Sequence, residues 1–406
     1  MKKEAKSELQ IILEALNKGR GGRHIFQYPL EVLEDGYRDT LKRRIETYIQ
    51  IIKELPSGEL ANFLQMNSSN IQDIGNNLDT IISHYLSGNN FLAYQEFNSF
   101  MRTQRIHLEN LSFTHKADES FYRIRISDKE ITDKKEMFHI PFNMRHLVAT
   151  QRYSVAGVPS LYLGNTLYVC WQELNKPDLN KIHMSQFINT RDLNILDFAI
   201  TFETLHKESR PFDNNSKPYN EEKIKSFFIL YPLILACSFK KKEEDAAFNI
   251  EYIIPNMILQ WLIIEKGHFD GIRYFSTKMK HERHDSIGIN IVLPPKENKD
   301  SLANNVCSTL KSTFKLTVPV SWAMINAMPD ARPTYSNGSE TVKEEDKVLL
   351  SFDELLYQKY KITKFYKIEQ NLKHYFEPLL LDDYTRPNRG IDLNQLIKVD
   401  LNQLRN

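Results

Sequence analysis

The stretch MFHIPFNMRHLVATQRYSVAGVPSLYLGNTLYVCWQEL, residues 137–174, contains the strongest structural signals in the chain. It places Arg152 before a flexible Gly-Pro connection, then a short apolar strand around Tyr162, and then Glu173 inside an otherwise apolar segment. A carboxylate in such a segment risks burial, and a buried charge is costly enough that it usually has a partner or a chemical role. The stretch therefore predicts a strand, a turn and a segment that carries a functional or ion-paired carboxylate.

Outward from this stretch, the middle of the chain predicts a mixture of strands and helices. Short alternating or apolar runs predict strands, and long apolar runs predict helices at about 221–239 and 255–266. The predicted strands are FYRIRI (121–126), SLYL (160–163), NILDFAI (194–200) and IGINIVLP (287–294). This pattern indicates an α+β fold.

The two ends of the chain differ from its middle. Apolar residues spaced by three and four between Ile71 and Leu86, and again between Leu41 and Ile52, predict amphipathic helices in an N-terminal bundle. After about residue 300 the signal weakens to a strand at 348–352 and one or two helices between about 353 and 377. We expect a helical domain at 1–115, a catalytic domain at 116–300 and a mixed C-terminal extension at 301–406.

Composition excludes several classes of protein. The chain has 406 residues, 41% hydrophobic and 26% charged, which is typical of a folded globular protein. Its net charge of +1 provides no global attraction to nucleic acid. The most apolar run, residues 227–237, is too short to span a bilayer, and acidic residues interrupt the N-terminus where a secretory signal would be apolar. We expect a cytoplasmic protein that binds neither nucleic acid nor membranes.

The common catalytic motifs are absent. The sequence has no GxGxxG, Walker A, GxSxG or HExxH motif and no pair of CxxC motifs. His281 and His284 lack a third ligand nearby, so we interpret them as surface residues and predict no metal site.

Taken in order, the motifs resemble the RES domain, a family named for its Arg, Glu and Ser. The resemblance extends from about Phe121 to about Pro294 and includes FDGIRYFSTK (269–278). Two departures exist. The family's Gly-Arg-Phe-Asn-like phrase is Gln-Arg-Tyr-Ser here, and the long spacing from Glu173 to Ser276 implies an insertion near 205–245.

The resemblance assigns candidate site residues position by position. Arg152 looks like the family's Arg, Tyr162 like its strand tyrosine, Glu173 like its Glu and Ser276 like its Ser, while Arg123 matches the opening Tyr-Arg strand. From the sequence alone each also has a structural interpretation: a core tyrosine, a surface arginine, a turn serine or an ion-paired glutamate.

RES domains are similar in fold to ADP-ribosyltransferases, and the family implies a toxin that consumes NAD+ and is neutralised by an antitoxin. Glu173 would stabilise positive charge developing on the ribose as the nicotinamide bond breaks. Arg152, or secondly Arg123, would hold the pyrophosphate by bidentate hydrogen bonds. Tyr162 and Ser276 would contact nicotinamide, its amide or a phosphate.

We therefore predict an NAD+ glycohydrolase or phosphorylase, with water or phosphate as the acceptor of ADP-ribose and no bound cofactor. The helical N-terminal region suggests regulation, homo-oligomerisation or sensing, in a phage-defence setting where loss of NAD+ stops growth. Two alternatives remain. One is an ADP-ribosyltransferase that modifies a specific protein, and the other is a catalytically inert protein whose helical bundle binds a partner.

Overall fold

The computed structural model describes residues 7–18, 28–200, 205, 220–265, 268–279, 287–296, 305–328 and 360–383. These residues form both helices and strands, which confirms the α+β fold class. The helices are α1 (Glu8–Lys18), α2 (Tyr37–Lys53), α3 (Glu59–Met66), α4 (Ser68–Leu86), α5 (Asn90–Thr103), α6 (Arg105–Asn110), α7 (Leu167–Glu173), α8 (Glu221–Ala236), α9 (Ile253–Ile264), α10 (Ser308–Thr313), α11 (Trp322–Asn326) and α12 (Lys364–Tyr375). The strands are β1 (Ser112–His115), β2 (Ser120–Ile126), β3 (Leu161–Gly164), β4 (Ile182–Asn189), β5 (Leu193–Asp197), β6 (Gly271–Phe275), β7 (Ile289–Leu293), β8 (Phe314–Leu316), β9 (Val320–Ser321) and β10 (Leu379–Leu380).

The chain divides into two compact units whose segments alternate along the sequence. Unit 1 comprises Met1–Phe113, Thr150–Val155 and Ile195–Arg283, and unit 2 comprises Thr114–Ala149, Ala156–Asn194 and His284–Asn406. The domain boundaries expected near residues 115 and 300 stay predictions. His281, His284 and the strand expected at 348–352 lie outside the described residues.

Unit 1 is mainly helical, and its apolar stripes are buried as the periodicity predicts. Helix α8 is buried almost all round and contains Pro232, which has no N–H to bond the carbonyl of Phe228 one turn earlier. The hydroxyl of Tyr48 in α2 donates to that carbonyl at 2.8 Å. A neighbouring helix thus satisfies the group that proline leaves unpaired, and the two expected helices near 221–239 and 255–266 are confirmed as α8 and α9.

Strands contribute to both units. In unit 1, β5 and β6 are parallel, with Ile195 opposite Gly271. In unit 2 the order is β7-β3-β2-β4-β8-β10, all pairs are antiparallel, and β9 also pairs with β4. All four strands expected in the middle of the chain are confirmed as β2, β3, β5 and β7, with ends shifted by up to three residues.

One pair of strands in unit 2 is barely joined. Strand β2 pairs with β4 along its whole length, from Ser120 opposite Ile188 to Ile126 opposite Ile182. With β3, however, β2 forms a single pair, Tyr122 opposite Gly164. Beyond this pair no ladder pairing joins the two strands, and we call this unpaired stretch the gap between β2 and β3.

Helix α7 lies directly against the end of β3. A Cβ atom added to Gly164 would come within 2.5 Å of Val169 Cγ1 and 2.6 Å of Cys170 Sγ, so only glycine permits this approach. Thr166 caps the helix by accepting a hydrogen bond from the Val169 N–H at 3.1 Å. The last residue of this short helix is Glu173.

Candidate functional site

The five predicted site residues are divided between the two units. Arg152 and Ser276 belong to unit 1, whereas Arg123, Tyr162 and Glu173 belong to unit 2. Each group therefore has its own surroundings.

Arg152 is buried and bonded to the main chain of unit 1. Its Nη1 donates to the carbonyl of Cys237 at 2.6 Å, and its Nη2 donates to the carbonyl of Phe239. The guanidinium also lies over the ring of Tyr252, 5.0 Å from its centroid. These carbonyls follow the C-terminal end of α8, where a cation is favourable because unpaired carbonyls concentrate there. Arg152 therefore makes the contacts of a structural residue.

Ser276 follows β6 and is completely buried. Its Oγ accepts a hydrogen bond from the Lys278 N–H at 3.2 Å, as a turn serine does. It also lines a small cavity together with the rings of Tyr153 and Tyr274, whose centroids are 4.5 Å apart. A contact of Ser276 with nicotinamide or a phosphate stays a prediction.

Arg123 differs from Arg152 in how few of its donors are used. It is half-buried in β2 at the gap from β3, and its Nη1 makes one long hydrogen bond, 3.4 Å, to the carbonyl of Tyr162. Among the described residues no carboxylate lies within ion-pair distance of it. Burial, and secondly the neighbouring Arg125, lower the pKa of Arg123 to about 9, so the group is still charged at neutral pH.

The groups around Arg123 add no compensating negative charge. Arg125, on the same strand, donates from Nη2 to the carbonyl of Phe138 at 3.1 Å. His139 is buried, donates from Nδ1 to the carbonyl of Ile140 and accepts at Nε2 from the Cys307 N–H. Burial lowers its pKa to about 4, and the positive charge of Arg123 acts in the same direction, so the imidazole is neutral at pH 7. The gap between β2 and β3 is thus a cationic site with unused donors.

Glu173 is half-buried at the C-terminal end of α7. Its Oε1 accepts a hydrogen bond of 2.6 Å from Nδ2 of Asn290 in β7, while Oε2 makes no hydrogen bond to the part of the chain that is described. A helix C-terminus is an unfavourable place for a negative charge, because the last carbonyls already carry partial negative charge. The helix end therefore gives this carboxylate no electrostatic stabilisation, and the amide of Asn290 is its hydrogen-bond partner.

Cys170 lies near both Arg123 and Glu173. Its Sγ donates to the carbonyl of Tyr122 at 3.2 Å. Burial raises the pKa of this thiol to about 12, and Arg123 and Glu173 are both close enough to influence it. The arginine and the carboxylate therefore both lie within electrostatic range of the same thiol.

Tyr162 is half-buried in β3, the strand whose carbonyl receives the Arg123 hydrogen bond. Burial raises the pKa of its hydroxyl, and Arg123 partly opposes this shift, so the phenol is neutral at physiological pH. Unit 2 thus groups Arg123 and Tyr162 directly and places Glu173 on the adjoining helix.

Asn290, the residue that holds Glu173, is not among the residues predicted from the sequence. It lies in the buried strand INIVL, where its amide is the one polar side chain and is 6% exposed. A polar residue on a strand that is buried along its whole length is itself a signal, because a buried amide needs a partner. The identity of that partner, 117 residues away, has no local trace in the sequence.

The described ranges contain neither a cluster of metal ligands nor a helix that could span a membrane. No group of three or more His, Cys, Asp or Glu side chains there could hold a metal ion. None of the described helices combines the length and apolar character needed to cross a bilayer.

Comparison with known proteins gives one informative similarity. The chain is 32% identical over 295 residues to a Bacillus subtilis (strain 168) protein named "Putative toxin YopC". The aligned region covers 70% of this chain and 65% of that protein, so the chain matches slightly less than two thirds of its relative's length. No model of a known protein family matches the chain. No solved structure matches it either.

Proposed function

We propose that this protein is an NAD+-consuming enzyme of the RES type that cleaves the bond between nicotinamide and ribose and acts as a growth-arresting toxin. The observation that carries the proposal is Arg123, a half-buried cation in the gap between β2 and β3 with one long hydrogen bond and no carboxylate partner among the described residues. Burial already lowers the pKa of this group to about 9, so part of its hydration is lost, and this loss costs free energy that a ligand can offset. A bound anion would supply that compensation.

The pyrophosphate of NAD+ is suited to this site. A guanidinium has five donors in a planar fork, and Arg123 uses one of them weakly. Two parallel hydrogen bonds to phosphate oxygens would use two of the others, and Arg125 on the same strand would add attraction at longer range. His139 is neutral at pH 7 and therefore adds no charge to the site, so the attraction for an anion comes from the two arginines.

Glu173 is the proposed catalytic group. When the nicotinamide–ribose bond breaks, the electron pair leaves with nicotinamide and positive charge develops on the ribose. A carboxylate oriented by Asn290 through one oxygen, with the other free to face the sugar, would stabilise this charge. Water then adds to the ribose and releases a proton, giving ADP-ribose; phosphate as acceptor would give ADP-ribose 1-phosphate.

The biological role of the proposal rests on the similarity to the Bacillus subtilis protein and on the RES-like motifs. An enzyme that depletes NAD+ stops growth, which suits a toxin or a phage-defence effector. It would need an antitoxin or regulatory protein to restrain it. Arg152 and Ser276 stay predicted NAD+ contacts, although Arg152 already uses two donors on main-chain carbonyls.

The test is NAD+ turnover by the purified full-length protein, measured as nicotinamide release with and without added phosphate. We expect turnover in the wild type and a loss of at least about a hundredfold in Glu173→Gln, which keeps the size of the side chain. Arg123→Ala should raise KM for NAD+. Glu130→Gln and Arg191→Ala, at exposed positions of the same unit, are the matched controls and should behave as the wild type.

The outcomes separate the candidate chemistries. A requirement for phosphate would identify a phosphorylase, and turnover without it a glycohydrolase. ADP-ribose attached to a cellular protein, with little free ADP-ribose, would instead identify a protein-directed transferase. Unchanged turnover in Glu173→Gln, or no cleavage by wild type together with full viability of cells that overexpress it, would refute the proposal.

A further inference from the structure

A buried carboxyl group from the C-terminal part of the chain contacts the first turn of α7. Glu369 in α12 is 4% exposed, and its Oε1 accepts a hydrogen bond of 2.7 Å from the Leu167 N–H. The hydroxyl of Tyr360 donates to the same oxygen. Leu167 is the first residue of the helix that ends at Glu173.

This contact supplies one of the two side-chain caps of α7. Thr166 accepts from the Val169 N–H, and Glu369 accepts from the Leu167 N–H. Leu167 and Val169 are both completely buried, so water cannot replace either acceptor. Because α7 has only about two turns, these two bonds are a large part of what holds its N-terminus.

The side chains around Glu369 fix the helix from the same direction. The ring of Phe365, one turn before Glu369 in α12, lies 5.6 Å from that of Tyr168 and 5.4 Å from that of Trp171, centroid to centroid. On its other side α7 is in contact with β3 at Gly164. The helix is therefore held between a strand and α12, and a shift at Leu167 would move it as a rigid body.

We propose that Glu369 is a positioning residue, which sets the place of α7 and thereby the place of the Glu173 carboxylate about 9 Å further along the helix axis. The inference rests on the proposed function for the role of Glu173. It makes the described C-terminal segment 360–383 part of the catalytic unit, whereas the sequence suggested an extension outside it.

The first test follows the position of Glu173 without any substrate. In full-length protein labelled with 15N-asparagine, the side-chain amide of Asn290 reports on its bond to Glu173. We expect Glu369→Ala to shift this signal in the same direction as Glu173→Gln does. Glu369→Gln keeps an acceptor oxygen and should leave the signal close to its wild-type position.

The matched control is Thr363→Ala. Thr363 caps α12 by accepting from the Tyr366 N–H, so its loss weakens the same C-terminal helix without removing the bond to Leu167. Amide exchange across residues 167–169 should become about fivefold to tenfold faster in Glu369→Ala and stay close to wild type in Thr363→Ala. Equal effects of the two substitutions, or an unmoved Asn290 signal in Glu369→Ala, would overturn the proposal.

The second test measures turnover. Glu369→Ala should lower kcat for NAD+ by about tenfold or more and change KM by less than about twofold, because it displaces Glu173 and not the proposed phosphate site. Glu369→Gln should restore kcat. Inactive wild type would refute the proposed function, while the Asn290 signal and amide exchange would still decide whether Glu369 positions α7. Active wild type with unchanged kcat in Glu369→Ala would refute the positioning role alone.

Discussion

Arg152 in unit 1 and Arg123 in unit 2 are the same type of side chain in contrasting environments. Arg152 is directed at two main-chain carbonyls beyond the end of α8 and lies over an aromatic ring. Arg123 has one long bond to a carbonyl, and a second arginine is its neighbour on the strand. In the first environment main-chain carbonyls accept hydrogen bonds from both Nη atoms of the guanidinium, and in the second most of its donors are not bonded to the described residues.

This difference shows that burial of a charged residue does not by itself reveal its role. The two arginines differ in whether the protein supplies hydrogen-bond acceptors for the guanidinium. Where it does, the arginine stabilises the fold. Where the protein supplies few acceptors, the positive charge is poorly stabilised, and a bound anion can stabilise it. This is a common property of binding sites.

The largest expected effect is on stability in unit 1. Arg152→Ala removes two charge-assisted hydrogen bonds and leaves the carbonyls of Cys237 and Phe239 without these donors, so we expect the free energy of unfolding to fall by about 3 to 5 kcal/mol. Urea denaturation followed by circular dichroism measures this loss. A cost below about 1 kcal/mol would contradict the structural role of Arg152 and restore it as the leading phosphate ligand.

The second effect is a pH dependence confined to unit 2. Burial raises the pKa of Glu369 from 4.5 to about 7, so between these pH values the folded protein keeps a proton that the unfolded chain has released. Stability from this residue is therefore present at low pH and is lost as the pH rises towards 7, by about 3 kcal/mol in total. The difference in the free energy of unfolding between wild type and Glu369→Gln, measured by urea denaturation, should decrease by this amount between pH 4.5 and 7.5.

Two other sets of titrating groups provide internal checks. His139, whose pKa is lowered to about 4 by burial, contributes stability that is lost as the pH falls from 6.5 towards 4, but this contribution cancels between wild type and Glu369→Gln. Around Arg152, burial raises the pKa values of Tyr37, Tyr153 and Cys237, so these groups stay neutral. The deficit of Arg152→Ala should consequently be the same at pH 5 and pH 7.5, and a strong pH dependence there would contradict the comparison.

The local parts of this architecture could be predicted from the sequence, whereas the roles of the two arginines could not. Strand β2 and helices α8 and α9 occur where alternation or apolar length predicts them, because those signals arise from neighbours in the chain. The partners of Arg152 are 85 and 87 residues away, in the region near 205–245 that the family spacing predicted as an insertion. No periodicity encodes such a contact.

The same limit applies to the helix that carries Glu173. Its apolar context predicted a partner for the carboxylate, and Asn290 is such a partner, but the amide is 117 residues distant. The bond between Glu369 and Leu167 spans 202 residues and joins α7 to a part of the chain that the sequence assigned to an extension. Motif order identified candidate residues, and long-range packing determines which of them have donors to offer a ligand.

A smaller effect concerns binding at Arg123. If its donors serve an anion, Arg123→Ala should weaken the binding of inorganic pyrophosphate by about 30-fold, which corresponds to about 2 kcal/mol, and Arg123→Lys should recover only part of it. Isothermal titration at low ionic strength measures both affinities, and added salt should reduce the wild-type affinity. Arg191→Ala controls for the loss of a positive charge elsewhere in unit 2. Equal weakening by both substitutions would show that the attraction is not specific to the gap between β2 and β3.

The smallest expected change is the effect of Arg123 on stability, and it tests the comparison most directly. Arg123→Met keeps the length of the side chain but removes a half-buried charge that has one long hydrogen bond. We expect the free energy of unfolding to stay within about 1 kcal/mol of wild type or to rise, because sites kept for function often reduce stability. In urea denaturation, Arg123→Met should leave the unfolding midpoint almost unchanged, whereas Arg152→Met should lower it strongly. If Arg123→Met lowered the free energy of unfolding by more than about 2 kcal/mol, the bond to the Tyr162 carbonyl would be structural. Both arginines would then serve to stabilise the fold.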